Sequence, residues 1–170
     1  MNWLDDIFRR PLDELVVPDV QLLLPERTVR EWQIDEAGRQ ALTSFGLPLI
    51  EDAGFFPTED PEPGPRRIDD DDGYELGSIS HLNIFVLRGS GRVVAVPEEP
   101  GIGNSGLVNS SVTNYVESSW RFYWLHRGLG DSVTDETYEA MAEFLDRLRV
   151  IDPTIGDDPN SSLWPSVLAD

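Results

Sequence analysis

Apolar residues along this chain gather into short runs and helical stripes separated by dense turn residues, and the sharpest pattern lies between residues 82 and 125. Leu82-Asn83-Ile84-Phe85-Val86-Leu87 and Val93-Val94-Ala95-Val96 are apolar and rich in β-branched residues. The Arg88-Gly89-Ser90-Gly91-Arg92 between them tolerates positive φ, which predicts an antiparallel hairpin. Beyond Val96, Pro97, Pro100, Gly101, Gly103 and Gly106 forbid a continuing strand or helix, so a loop must carry the chain to a new element. Ser110 or Ser111 can then cap a helix in which Val112, Val116 (or Tyr115), Trp120 and Tyr123 (or Trp124) recur at three- and four-residue spacing. Full burial of one such side chain is worth about 1.5–3 kcal/mol, so this stripe reads as core packed on the sheet rather than as a ligand-stacking surface.

The flanking pattern supplies the other elements. Trp3, Leu4, Ile7 and Phe8 make one side of a short amphipathic helix, which Pro11 interrupts and which can dock on the body or on a partner. Asp35 is placed to cap a helix from Glu36 through Leu42 that ends before Gly46-Leu47-Pro48, and Leu49-Ile50 and Phe55-Phe56 are expected to begin the sheet. Between Pro57 and Asp72, prolines and a run of four aspartates leave too little apolar surface for order, which predicts a mobile acidic loop. Tyr74 to Ile79 resumes the sheet. Ser132 or Thr134 then caps a helix whose apolar face is Tyr138, Met141, Leu145 and Leu148 and which stops at Asp152-Pro153. Ser161 or Ser162 begins a last turn or two presenting Leu163, Trp164, Val167 and Leu168.

These residues resemble a known family. Gly91-Arg92-Val93-Val94-Ala95-Val96, then Leu107-Val108-Asn109-Ser110-Ser111-Val112 and an apolar helix, resemble the glycine, strand, variable loop and valine-asparagine-serine-serine core of the SUKH superfamily. The closest branch is the SUKH-4 type of immunity protein from bacterial polymorphic-toxin systems, more distantly related to the SMI1/KNR4 group. Gly46-Leu47-Pro48 and a tail with Asp152-Pro153 and Leu163-Trp164 agree with it. The resemblance implies an α+β fold, an antiparallel sheet of about five or six strands with helices packed against it. It covers about residues 25 to 168, so 25–170 reads as one SUKH-like domain and 1–24 as an N-terminal extension.

Composition narrows the function. A chain of 170 residues with 39% hydrophobic residues can bury an ordinary single core despite a formal net charge of −19. Cysteine is absent, which excludes disulfides, zinc–thiolate sites and thiol catalysis. The start carries acids where a secretory signal carries basic residues, and no apolar stretch approaches about 18 residues, so a cytoplasmic protein is expected. Lys+Arg 13 against Asp+Glu 32 repels phosphate backbones and anionic membranes and attracts basic surfaces, which argues against nucleic acid or a membrane as direct partner. All the basic residues are arginine, a bias that genome composition, habitat or solubility also explains.

Candidate chemistry is thin. Gly101-Ile102-Gly103-Asn104-Ser105-Gly106 matches G-x-G-x-x-G, but Pro97 and Pro100 separate it from its strand and the helix starts late, so no nucleotide cofactor is expected. Asp69-Asp70-Asp71-Asp72-Gly73 suggests calcium, yet an EF-hand register puts Ile68 first and Ile79 twelfth, where carboxylates are needed. His81 and His126 are the only histidines and nothing in their spacing brings them together; His126 suits a helix C-terminus, where the macrodipole favours a cation. No serine completes a nucleophile elbow. Neither metal nor enzymatic activity is expected.

The family resemblance implies a protein that binds and neutralises a cognate toxin, commonly a nuclease or nucleic-acid deaminase with a basic groove. Ten acids against two arginines between Glu51 and Glu75 make Glu59, Asp60, Glu62, Asp69, Asp70, Asp71 and Asp72 the first candidates for such a partner. Glu98 and Glu99, at the head of the glycine-rich loop, are the second. For the acidic segment alone, a solvated loop that keeps the protein soluble is the bland alternative. Two other function classes remain open at this point: a regulatory scaffold of the SMI1/KNR4 kind, and a small-ligand-binding domain using the glycine-rich loop.

Overall fold

The alternating and β-branched segments form the sheet expected of them, and the aromatic helix becomes the centre of the molecule. The computed structural model describes residues 2–99, 106–130, 133–157 and 162–169. From the N-terminus come helices α1 (Trp3–Arg9) and α2 (Leu12–Leu15), strand β1 (Gln21–Leu22), helices α3 (Glu26–Val29) and α4 (Glu36–Ser44), and strand β2 (Leu47–Pro48). Strands β3 (Phe55–Pro57), β4 (Arg66–Ile68), β5 (Asp71–Ile79), β6 (Leu82–Leu87), β7 (Val93–Pro97) and β8 (Gly106–Asn109) follow. Helices α5 (Val112–Leu129), α6 (Asp135–Ile151) and α7 (Leu163–Ala169) complete the order.

The fold is α+β. Six strands form one antiparallel sheet in the order β3-β5-β6-β7-β8, with β4 pairing the other end of β5, while β1 and β2 make a separate two-stranded sheet. Leu47-Pro48 therefore pairs with Gln21-Leu22, and the main sheet begins at Phe55. Pleating sends Leu76, Ile84, Val86, Val93 and Ala95 into the core against α5. Phe85 and Ile68 are buried apart from that core, with the Arg66 guanidinium 5.5 Å from the Phe85 ring centre. Among the described residues, no helix is long and apolar enough to cross a membrane.

Helix α5 is buried on more than the one stripe its spacing predicts. Ser111 caps it through Asn114 N, and Tyr115, Val116, Ser118, Ser119, Trp120, Phe122 and Leu125 are all buried. Helices on the side away from the sheet cause this: α1, α2 and α4 pack on α5 as well. Trp120 Nε1 donates to Gly46 O at 3.1 Å and Trp124 Nε1 to Leu15 O at 2.8 Å, so the aromatics satisfy their polar edges on neighbouring backbone.

Residues 3 to 24, read from the sequence as an extension, pack on this same body. Leu4, Ile7, Leu15 and Leu24 belong to the core cluster, and Asp5 pairs with Arg147 of α6 at 2.6 Å. The α6 face also differs from the sequence pattern. Phe144 and Leu148 are buried, Thr137 points inward, and Tyr138 is 55% exposed. A capping box joining Thr134 and Thr137 fixes the first turn, and with Thr137, Phe144 and Leu148 buried and Met141 and Leu145 partly so, Tyr138 falls at the edge of the buried face.

Gly46 shows why the Gly-Leu-Pro entry has its shape. Its φ is +63°, and a Cβ there would lie 2.1 Å from Leu22 O, inside the β1–β2 pairing. Gly46→Ala is expected to lower unfolding free energy by about 1–3 kcal/mol in chemical denaturation, through left-handed strain plus displacement of β1.

The Val-Asn-Ser-Ser segment has a second role besides capping. Asn109, fully buried at the end of β8, accepts from Trp164 Nε1 at 3.0 Å and donates to Asp152 Oδ2 at 3.0 Å. Asp152 Oδ2 also accepts from Ser110 N at 2.7 Å, and its Oδ1 accepts from Thr154 N at 3.2 Å and Thr154 Oγ1 at 2.6 Å. Burial raises the Asp152 carboxyl, but donors on both oxygens outweigh it and hold the group below the usual carboxylate range. One carboxylate thus ties β8, the N-terminus of α5, the end of α6 and, through Asn109, α7.

Candidate functional site

The acidic candidates fall into two groups at opposite ends of the sheet. The segment expected to be mobile is built instead, because it finds anchors the composition conceals. Pro57, Pro61 and Ile68 are buried, and the Trp32 indole, stacked 4.8 Å from Tyr74, donates to Glu62 O at 3.0 Å. β4 then pairs with β5 through a two-residue turn at Asp69-Asp70, with Asp69 at φ 50°, a conformation aspartate tolerates better than most residues.

The aspartate run is consequently not uniform. Asp72 lies 3.2 Å from Arg88 and 3.7 Å from Arg67, and Glu75 pairs with Arg66 at 2.9 Å, so both carboxylates are neutralised within the sheet. Glu59, Asp60, Glu62, Asp70 and Asp71 are exposed and face no cation among the described residues; Asp69 is exposed at the turn. Glu98 and Glu99 sit elsewhere, after β7, where Glu98 N donates to His81 O at 3.0 Å. The length of β5 separates the Asp69–Asp70 turn from the Glu98 end by about 25 Å at 3.3 Å per residue, while Glu59, next to Thr58 whose N donates to Leu76 O, lies beside the middle of that strand. Residues 101–105, most of the G-x-G-x-x-G segment, lie outside the described residues.

At the Glu98 end the structure assembles something the sequence reading did not find. A cleft of about 420 Å³ opens between the β5–β6 turn and the helices, lined by Asp52, His81, Phe122, His126, Leu129 and Met141 among others. A smaller hollow of about 210 Å³, formed by His81, Pro97, Glu98 and Glu99, adjoins it through His81. Both histidines therefore meet one cleft, a proximity that their spacing in sequence does not encode. His126 Nε2 lies 3.0 Å from Asp52 Oδ2, and this hydrogen bond holds the Asp52 carboxyl below its usual range. The sequence signal was present: Phe122, His126 and Leu129 recur at i, i+4 and i+7, one face of α5. Among the described residues, no group of three or more His, Cys, Asp and Glu side chains could hold a metal ion.

The residues that carried the sequence motif thus do not line either surface. Asn109, Ser110, Asp152 and Trp164 converge behind the last strand, where they hold together an α+β domain of the SUKH type. A family model for the SUKH-4 immunity protein matches residues 7–170, and the chain belongs to that family. No curated protein sequence and no solved structure matches it. Membership assigns the chain an immunity role and a toxin as its partner.

Proposed function

We propose that this SUKH-4 protein neutralises a nuclease or nucleic-acid deaminase toxin in the cytoplasm of the producing cell, by occupying a basic groove without turnover, cofactor or metal. The observation that carries this reading is the standing of the carboxylates: Glu59, Asp60, Glu62, Asp70 and Asp71 make no ion pair among the described residues, Asp70 and Asp71 on the β4–β5 hairpin and the other three on the segment before it, which the Trp32–Glu62 hydrogen bond anchors. A fixed negative surface on a chain of net charge −19 suits an enzyme built to hold phosphates. The same charge disfavours nucleic acid and anionic membranes as partners. Glu98 and Glu99 extend the acidic surface at the far end.

Co-expression with the toxin domain encoded beside this gene tests the reading, with cell survival and a copurifying complex as the expected result; death without a complex refutes it. Within that complex, the double change Asp70→Asn and Asp71→Asn should slow association about fivefold at low salt and flatten its salt dependence, as loss of steering charge does. The melting temperature should stay unchanged, because these side chains lie on the surface. Stopped-flow association across a salt series reads the effect, and unchanged rates would remove the hairpin from the interface.

A further inference from the structure

The cleft beside His126 has a composition of its own. Phe122, Leu129 and Met141 give it an apolar wall, while Asp52 stands at its edge with a side chain 80% exposed and one lone pair engaged by His126. A carboxylate offers about four acceptor sites, so Asp52 retains capacity for a further donor. The charged groups around this end include Glu51, Asp52, Glu98 and Glu99 against Arg127, with the imidazoles of His81 and His126 between them. That balance repels an anion, and among the described residues no group of three metal-ligating side chains forms there. A purely apolar occupant would leave the remaining acceptor capacity of Asp52 unused.

A side chain with an apolar stem and a cationic planar head fits both halves. The volume of about 420 Å³ lies within the range of pockets that enclose small groups. The His126 ring, partly exposed and 6.2 Å from the buried Phe122 ring, adds aromatic surface on which a guanidinium stacks and an ammonium gains less. Resting on the immunity reading above, we infer that this cleft receives an arginine side chain of the toxin, its stem along Phe122, Leu129 and Met141 and its guanidinium on Asp52. The acidic hairpin at the other end of the sheet then steers the encounter, and the cleft sets residence time.

Two variants of the full chain test this against the toxin domain encoded beside the gene. Asp52→Asn removes the charge at an exposed position and keeps the shape; Met141→Trp fills the cleft. Each should weaken the complex at least tenfold, chiefly through faster dissociation, while the Asp70→Asn control at the hairpin should leave dissociation unchanged. If Met141→Trp fails to fold, Asp52→Asn alone decides. An arginine-to-alanine scan of the toxin should find one arginine whose loss no longer matters once Asp52 is asparagine, a coupling of about tenfold or more in a double-mutant cycle. Native affinity in both variants, or no toxin arginine coupled to Asp52, overturns the cleft assignment and leaves the immunity reading standing. A native chain that does not bind the toxin at all overturns both.

Discussion

Replacing Asp152 with alanine should cost about 3–4 kcal/mol of unfolding free energy, measured by urea denaturation. Its carboxylate is buried, and its two oxygens accept from Asn109 Nδ2, Ser110 N, Thr154 N and Thr154 Oγ1. Alanine leaves Asn109 Nδ2 without a partner in the buried part of the site and takes the shared acceptor from Ser110 and the exposed Thr154 at its edge, and it also frees the Asn109 amide that holds Trp164. Asp152→Asn is the more instructive change, because it keeps the shape. Both oxygens face donors, so an amide NH2 on either side meets an N–H; turned toward Thr154, it can be accepted by the hydroxyl but still orphans Thr154 N. A cost of about 2 kcal/mol is expected for the asparagine variant.

The same carboxylate sets a pH dependence. Its folded-state pKa is lowered, so its contribution is fully present above the unfolded value and is lost as pH falls through the folded one. Wild type should therefore lose stability below about pH 4. The asparagine variant should lose less over that window, so the two denaturation curves approach each other in acid. Parallel curves would show that Asp152 does not titrate as its surroundings require.

Arg121→Ala should cost about 3 kcal/mol and detach the N-terminal helix. The guanidinium is 5% exposed, and it donates to Ile7 O, to Arg10 O at 3.4 Å and to Glu117 Oε1 at 2.7 Å, with the Phe8 ring centre at 5.2 Å. Ile7 and Arg10 lie at the C-terminal end of α1, where carbonyls lack helical partners and a cation is favoured. Removing Arg121 strands these carbonyls and leaves Glu117 without its counter-charge. Lysine should recover less than half of the loss, since a point charge on a flexible stem cannot span both the carbonyls and Glu117. Hydrogen exchange should show residues 4–10 losing protection ahead of the sheet. A global loss shared equally by the sheet would mean that Arg121 supports the core rather than the docking of α1.

That docking marks a boundary of what the pattern of residues could disclose. The short amphipathic helix at Trp3 to Phe8 was legible, and so was its need for a surface; which surface depended on Arg121, a charge in the middle of an apolar helix, where a sequence reading expects no partner. The acidic segment failed for a related reason. Its proline and aspartate content argues for mobility, and only tertiary contacts from Trp32 to Glu62 and from Arg88 to Asp72 supply the missing order. The cleft stayed hidden because His81 and His126 lie on a turn and a helix whose proximity no local spacing encodes. The α6 face was legible at Met141, Leu145 and Leu148, which all pack against the core, but Thr137 and Phe144 rather than Tyr138 complete its buried side.

Local chemistry determined the hairpin of β6 and β7, the caps at Asp35, Ser111 and Thr134, the buried character of α5 and the family, because strand alternation, capping and short motifs depend on near neighbours. Only the tertiary structure decided that Asn109 and Asp152 form one hub, that the two acidic groups stand at opposite ends of the sheet, and that a cleft lies between sheet and helices. Each of these joins residues far apart in sequence, and such a contact carries no periodicity; it arises when the core has closed and buried polar groups must find partners among whatever packing brings near.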